Sequence, residues 1–147
     1  MPNYTKLRPS RFDDPRRLEI ERKIAADLLV LRAALAKHIR EQREPGADGH
    51  GTVRIATWNL RDFGKKKRGP RLAEAIYYIA EIISAFDVVA LQEIYRDLTE
   101  FNEVLRFLGG DWDYLMTDAS TDARGNDERM VFLFNRNKVR WRNVTGE

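Results

Sequence analysis

Two short apolar runs with a helical stripe between them constrain this chain more than any other feature. Val53-Arg54-Ile55-Ala56-Thr57-Trp58-Asn59 reads as one strand, and Asp87-Val88-Val89-Ala90-Leu91-Gln92-Glu93 as a second, almost wholly apolar one. Between them Pro70 opens a helix whose stripe is Leu72, Ile76, Ile79 and Ile83. A strand–helix–strand unit predicts two parallel strands joined by a right-handed crossover. The second run is apolar on both faces, so cover is expected on both. A short helix is expected from Thr99 to Leu108, with Phe101, Val104, Leu105 and Leu108 inward, ended by Gly109-Gly110. Two further strands, Tyr114 to Thr117 and Met130 to Phe134, flank a polar, turn-rich loop from Asp118 to Asp127. The fold class is α/β (α+β).

Ahead of this unit the composition differs. Residues 1–15 are polar and punctuated by proline, which reads as an arm. Residues 16–44 read as one long amphipathic helix. Asp14 can accept from first-turn amides, and Pro15 suits the first helical position, where its missing N–H costs nothing. Ile20, Ile24, Leu28, Leu31, Leu35 and Ile39 recur at helical spacing, with Leu29 and Val30 widening the stripe. Pro45-Gly46 stops the helix, and residues 45–51 read as a linker. The stripe is not a strict heptad, so docking on its own chain and pairing with a second copy both stay open.

Composition excludes several classes. The chain of 147 residues has no cysteine, so disulfides and thiolate zinc sites are out. No apolar run is long enough to span a membrane, no signal peptide is visible, and a cytoplasmic location is expected. The net charge of +3 lies entirely within residues 1–50, leaving 51–147 neutral. That excess alone is weak support for a nucleic-acid partner. The two histidines are His38 and His50, which leaves the region from residue 51 onward with none.

Parallel strands joined by a helix bring their carboxyl ends to one edge, where ligands of such sheets bind. Asn59 and Glu93 each end a strand there, on neighbours roughly 5 Å apart. A carboxylate beside an amide offers oxygen donors suited to a hard cation such as Mg²⁺. Alternatively, both residues merely end their strands and face water. Arg61 lies just past the same edge and can fork onto a phosphate. Lys65-Lys66-Lys67-Arg68 follows in a loop, which suits contacts to a polyanion backbone, a nuclear-localisation signal or plain solvation. Glu128-Arg129 precedes the last strand. Trp58, Trp112 and Trp141 read as core or rim residues rather than base-stacking platforms.

Taken together, these residues resemble the endonuclease/exonuclease/phosphatase family, and within it the secreted deoxyribonuclease branch. Arg54 to Arg61 and Asp87 to Glu93 look like its first two motifs, and Asn126 to Val139 like its third region, so the likeness spans roughly residues 53–141. The resemblance implies a metal-dependent phosphodiesterase acting on DNA. It implies Glu93 as the principal ligand of Mg²⁺ or Mn²⁺ and Asn59 as a residue helping to position metal, phosphate or water. Arg61 matches a phosphate-contacting arginine, and Glu128 a glutamate that orients a catalytic histidine. Lys65, Lys66, Lys67 and Arg68 would add phosphate contacts.

There are departures. Asn126 stands where the branch carries a minor-groove tyrosine, and Ile94-Tyr95-Arg96 replaces a segment with arginine two places after the metal glutamate. The family's histidine-bearing strand, Gly-Asp-x-Asn turn and Ser-Asp-His are all missing. The expected architecture is therefore the amino-terminal half of a four-layer α/β/β/α sandwich, residues 52–147, behind a helical extension. The parent protein would be a nuclease and this segment alone inactive. Two alternatives accompany that reading: a self-association or docking module built on residues 16–44, and a phosphatase of a small sugar or inositol phosphate.

Overall fold

The computed structural model describes residues 2–7, 14–42, 52–118 and 127–141. Residues 1 and 8–13 of the expected arm, the linker at 45–51 and Asn126 lie outside the described residues. The main elements are α1 (Pro15–Glu41), β1 (Ile55–Phe63), α2 (Ala73–Ser84), β2 (Val88–Ile94), α3 (Thr99–Leu108), β3 (Trp112–Met116) and β4 (Arg129–Asn135). The four strands form one mixed sheet in the order β1-β2-β4-β3. β1 and β2 are parallel, as the strand–helix–strand pattern requires, and β4 runs antiparallel to both β2 and β3.

One face of the sheet carries the core. Trp58 and Leu60 of β1, Val89 and Leu91 of β2, and Val131 and Leu133 of β4 pack with Ile76, Ile79 and Ile83 of α2 and Phe101, Val104 and Leu108 of α3. α2 and α3 thus bury most of the stripe their spacing provides, with Leu105, expected inward, only partly buried. Phe107, absent from the expected inward set, is also buried and stacks on Tyr77 at 4.4 Å between ring centroids. Asp87 explains why an acid leads so apolar a strand. Its buried carboxylate accepts from the backbone N–H of Arg54 at 2.8 Å, tying the start of β2 to the residue before β1.

The other face is only partly covered. Trp141 packs edge-on against Phe132 and Phe134, while Ile55 and Leu115 are 67% and 47% exposed. The cover expected on both faces of β2 is therefore complete on the helix side alone, among the described residues.

Helix α1 lies against α2 rather than standing free. Ile24 and Leu28 are buried, and Arg32 forks onto the buried Glu81 of α2, Nε and Nη2 donating at 2.7 and 2.9 Å. Tyr4 donates its hydroxyl to the same carboxylate at 2.8 Å. Asp14 caps the helix by accepting from the Arg16 N–H, with Pro15 opening it. The stripe is narrower than its apolar spacing suggests: Ile20, Leu29 and Val30 are 55%, 67% and 71% exposed.

Two further boundaries shift. β1 continues past Asn59 to Phe63, and α2 starts at Ala73, leaving Leu72 extended and 70% exposed instead of on the buried stripe. Arg71 accounts for the second shift. Its N–H donates to Glu100 at 2.5 Å and its guanidinium reaches back to the carbonyls of Leu60 and Arg61, which holds the approach to α2 open.

Candidate strand-end site

Strand geometry alone would keep Asn59 and Glu93 apart. In the β1–β2 register Asn59 pairs with Gln92 and Thr57 with Ala90, so strict alternation puts Asn59 on the open face and Glu93 on the helix face with Leu91. The backbone breaks that alternation. Register shifts between Asn59 and Phe63 on β1, and between Leu91 and Ile94 on β2, mark irregularities at both strand ends. Arg61, Asp62 and Glu93 all adopt left-handed backbone, with φ of 44°, 57° and 59°. Such values are uncommon for arginine and glutamate, and strained residues of this kind cluster at functional sites. As a result Asn59 Nδ2 donates to Glu93 Oε1 at 2.5 Å.

The Asp62 N–H donates to the other carboxylate oxygen, Oε2, at 3.0 Å. These two donors, the Asn59 amide foremost, hold the Glu93 carboxyl below its ordinary pKa, so it is charged at neutral pH. The Asn59 oxygen is turned away from Glu93 and accepts from the Arg61 N–H at 2.7 Å. Asn59 therefore sets the carboxylate through its nitrogen and the bulge through its oxygen. Arg71 braces the same turn from outside, with Phe63 under its guanidinium at 5.2 Å.

Asp62 joins this acid to the basic loop. Its carboxylate accepts from Lys65 Nζ at 2.6 Å and Arg68 Nε at 2.9 Å. The Lys65 bond in particular lowers the Asp62 pKa, and Asp62 in turn raises that of Lys65. Lys65 also donates to the Tyr95 hydroxyl at 2.9 Å, and Tyr95 donates to Glu128 Oε1 at 2.8 Å. Glu128, just ahead of β4, is thus linked to Glu93 through Tyr95, Lys65 and Asp62. Lys66 to Arg68 form a single 3-10 turn within the loop. Gly64 fixes its start: φ is +78°, and a Cβ there would lie 2.1 Å from the Asp97 carbonyl oxygen.

The five basic residues do not act alike. Lys65 and Arg68 are committed to Asp62. The side chains of Arg61, Lys66 and Lys67 make no hydrogen bond or ion pair among the described residues. Beside them Gly64, Lys65 to Lys67, Tyr95, Arg96 and Glu128 border an open cleft of about 630 Å³. Arg96 is paired across it with Asp127 at 2.7 Å.

Asp62, Tyr95 and Arg71 carry the geometry and were not singled out by the sequence pattern. Asp62 had one readable signal, an acid three and six residues ahead of Lys65 and Arg68.

The donor set suits a hard cation. Glu93 offers carboxylate oxygens, and Mg²⁺ is commonly held by one or two carboxylates together with water and phosphate. Asn59 presents its nitrogen to Glu93 and keeps its oxygen on the Arg61 N–H, so it aims the carboxylate and does not add a second oxygen donor. Among the described residues no group of three or more His, Asp or Glu forms a protein-only metal cage. His38 is exposed on α1, and no histidine stands beside Glu93 among the described residues. Compared with known proteins, the chain matches no family model and no curated protein.

Proposed function

We propose that this chain is the amino-terminal, substrate-gripping half of a metal-dependent phosphodiesterase that acts on nucleic acid, DNA first. The observation that carries the reading is the meeting of Glu93 and Asn59 across two parallel strand ends, achieved against the strand alternation by left-handed backbone. A protein that merely ended two strands in water would have no need of that strain. Glu93 is the residue to hold Mg²⁺ or Mn²⁺, and Asn59 keeps its carboxylate aimed. When bound, such an ion would supply charge neutralisation at a phosphoryl oxygen. Arg61, Lys66 and Lys67 face solvent with free donors for backbone phosphates. Glu128 is held by Tyr95 ready to orient a further group.

Among the described residues no histidine stands beside the cluster, and the reading gives activation of water to the histidine-bearing motifs that the resemblance implies. The half-covered sheet face fits a four-layer sandwich in which a second sheet packs on Ile55, Phe132 and Leu115. No described helix is long and apolar enough to cross a membrane, and the reading places the protein in the cytoplasm.

In the protein that joins this chain to its water-activating residues, Glu93→Ala should abolish metal-dependent cleavage of plasmid DNA. Undiminished cleavage would remove the assignment. Cleavage of an inositol phosphate in preference to DNA would move the substrate class and keep the site.

A second reading has its own observation. Leu29 and Val30 are exposed apolar side chains on α1, which a homodimer through residues 16–44 would cover. Sedimentation of the 147-residue chain as a monomer at all concentrations would dismiss it.

A further inference from the structure

Asp62 stands between the acidic and basic halves of the site. Its N–H holds Glu93 Oε2, while its carboxylate takes Lys65 on one oxygen and Arg68 on the other. Two cations converging on two oxygens of one anion is also how a phosphate is gripped. The acid is the recessed member, with its side chain 12% exposed against 36% and 60% for Lys65 and Arg68. A hollow of about 250 Å³ on the Arg68 side of Asp62 is bordered by Arg61, Arg71 and Glu100, while Lys65 borders the neighbouring cleft. Three cations, Arg61, Arg68 and Arg71, face two acids, Asp62 and Glu100, around the hollow, and the Arg61 guanidinium is unpaired among the described residues.

We infer that Lys65 and Arg68 form a phosphate subsite that Asp62 fills in the free protein. A phosphodiester chain binds by exchanging one of its phosphates for the Asp62 carboxylate. The inference rests on the phosphodiester reading above. The Lys65 and Arg68 ends reach solvent and can turn to a phosphate. The cost of leaving the recessed Asp62 unpaired is offset by the contacts of Arg61, Lys66 and Lys67 to neighbouring phosphates. The bond from Asp62 to Glu93 is made by the main chain, so it survives the exchange. Glu93 stays aimed while the basic loop changes partner, and free cations are kept from gripping stray anions until a chain with several phosphates arrives.

Asp62→Asn tests this, since asparagine accepts left-handed backbone and removes only the charge. Asp62→Ser removes it with a smaller side chain and is read in the same way. Binding of pyrophosphate and of a short DNA duplex to the 147-residue chain is measured by calorimetry and fluorescence anisotropy over a range of salt. Either variant should bind both probes about tenfold more tightly at low salt, with a steeper salt dependence for the duplex. In a Lys65→Met/Arg68→Gln background the same change should alter affinity less than about twofold. No gain for either probe overturns the inference, and so does an equal gain in both backgrounds, which is a general charge effect. A gain for pyrophosphate without one for the duplex keeps the subsite and removes the nucleic-acid reading.

Discussion

Glu93 illustrates how little of a site's geometry lies in residue identity alone. The sequence places an acid at a strand end, but a regular strand would point it into the helix layer. Its φ of 59° and the bulge opposite bring it to Asn59. That Asn59 and Glu93 reach one edge was legible because parallel strands share it, but their contact was not, because regular alternation would put them on opposite faces. Asp62, Tyr95 and Arg71 were not, because their roles depend on bulges and a reaching guanidinium that no periodicity encodes. Arg71 is the most exacting case. Removing its side chain leaves the Leu60 and Arg61 carbonyls without that donor and the left-handed turn without its brace. Arg71→Ala should cost about 1–2 kcal/mol in urea unfolding, and Arg71→Lys should recover part of it. Gly64→Ala should cost more than about 1 kcal/mol, because the new methyl meets the Asp97 carbonyl at a positive φ. An unchanged unfolding midpoint for either alanine variant would show that the loop relaxes freely.

At the scale of elements, the helices were readable and their depth was not. The stripe on α1 correctly predicted an apolar face, but only Ile24 and Leu28 are buried on it. Which residues sink is set by the matching surface of α2, and that surface is long-range information. Leu28→Ala should cost about 2–4 kcal/mol and Leu29→Ala less than about 0.5 kcal/mol in a monomer. A large loss at Leu29 would instead favour a paired helix. The Arg32–Glu81 fork that joins α1 to α2 makes a pH prediction. Burial alone would raise the Glu81 carboxyl, but Arg32 and Tyr4 outweigh it and hold the group below its ordinary value of 4.5. A depressed carboxyl contributes its stability fully above that ordinary value and loses it as pH falls through the folded one. Arg32→Met should therefore cost about 2 kcal/mol at pH 7, discounted because Arg32 is 37% exposed, and less at about pH 4. Urea unfolding at both pH values checks the sign, and an equal cost at each would contradict it.

For the whole molecule, the strand–helix–strand core and the mixed α/β class followed from hydrophobic spacing and handedness, whereas the docking of α1 on α2 did not, because its stripe suited a second copy equally well. The order β1-β2-β4-β3 did not, since nothing local says that β4 pairs with β2 before β3. The layered arrangement puts three helices and a half-buried ion pair behind one face of the sheet and the strand-end cluster at its edge. The proposed function puts its chemistry at that edge, where ligands of open sheets bind. The most direct measurement is Mn²⁺ binding to the 147-residue chain, followed by electron paramagnetic resonance with Glu93→Gln alongside. The account predicts binding by the native chain and at least tenfold weaker binding by the variant, with circular dichroism unchanged. Equal Mn²⁺ affinity in the two proteins would contradict it.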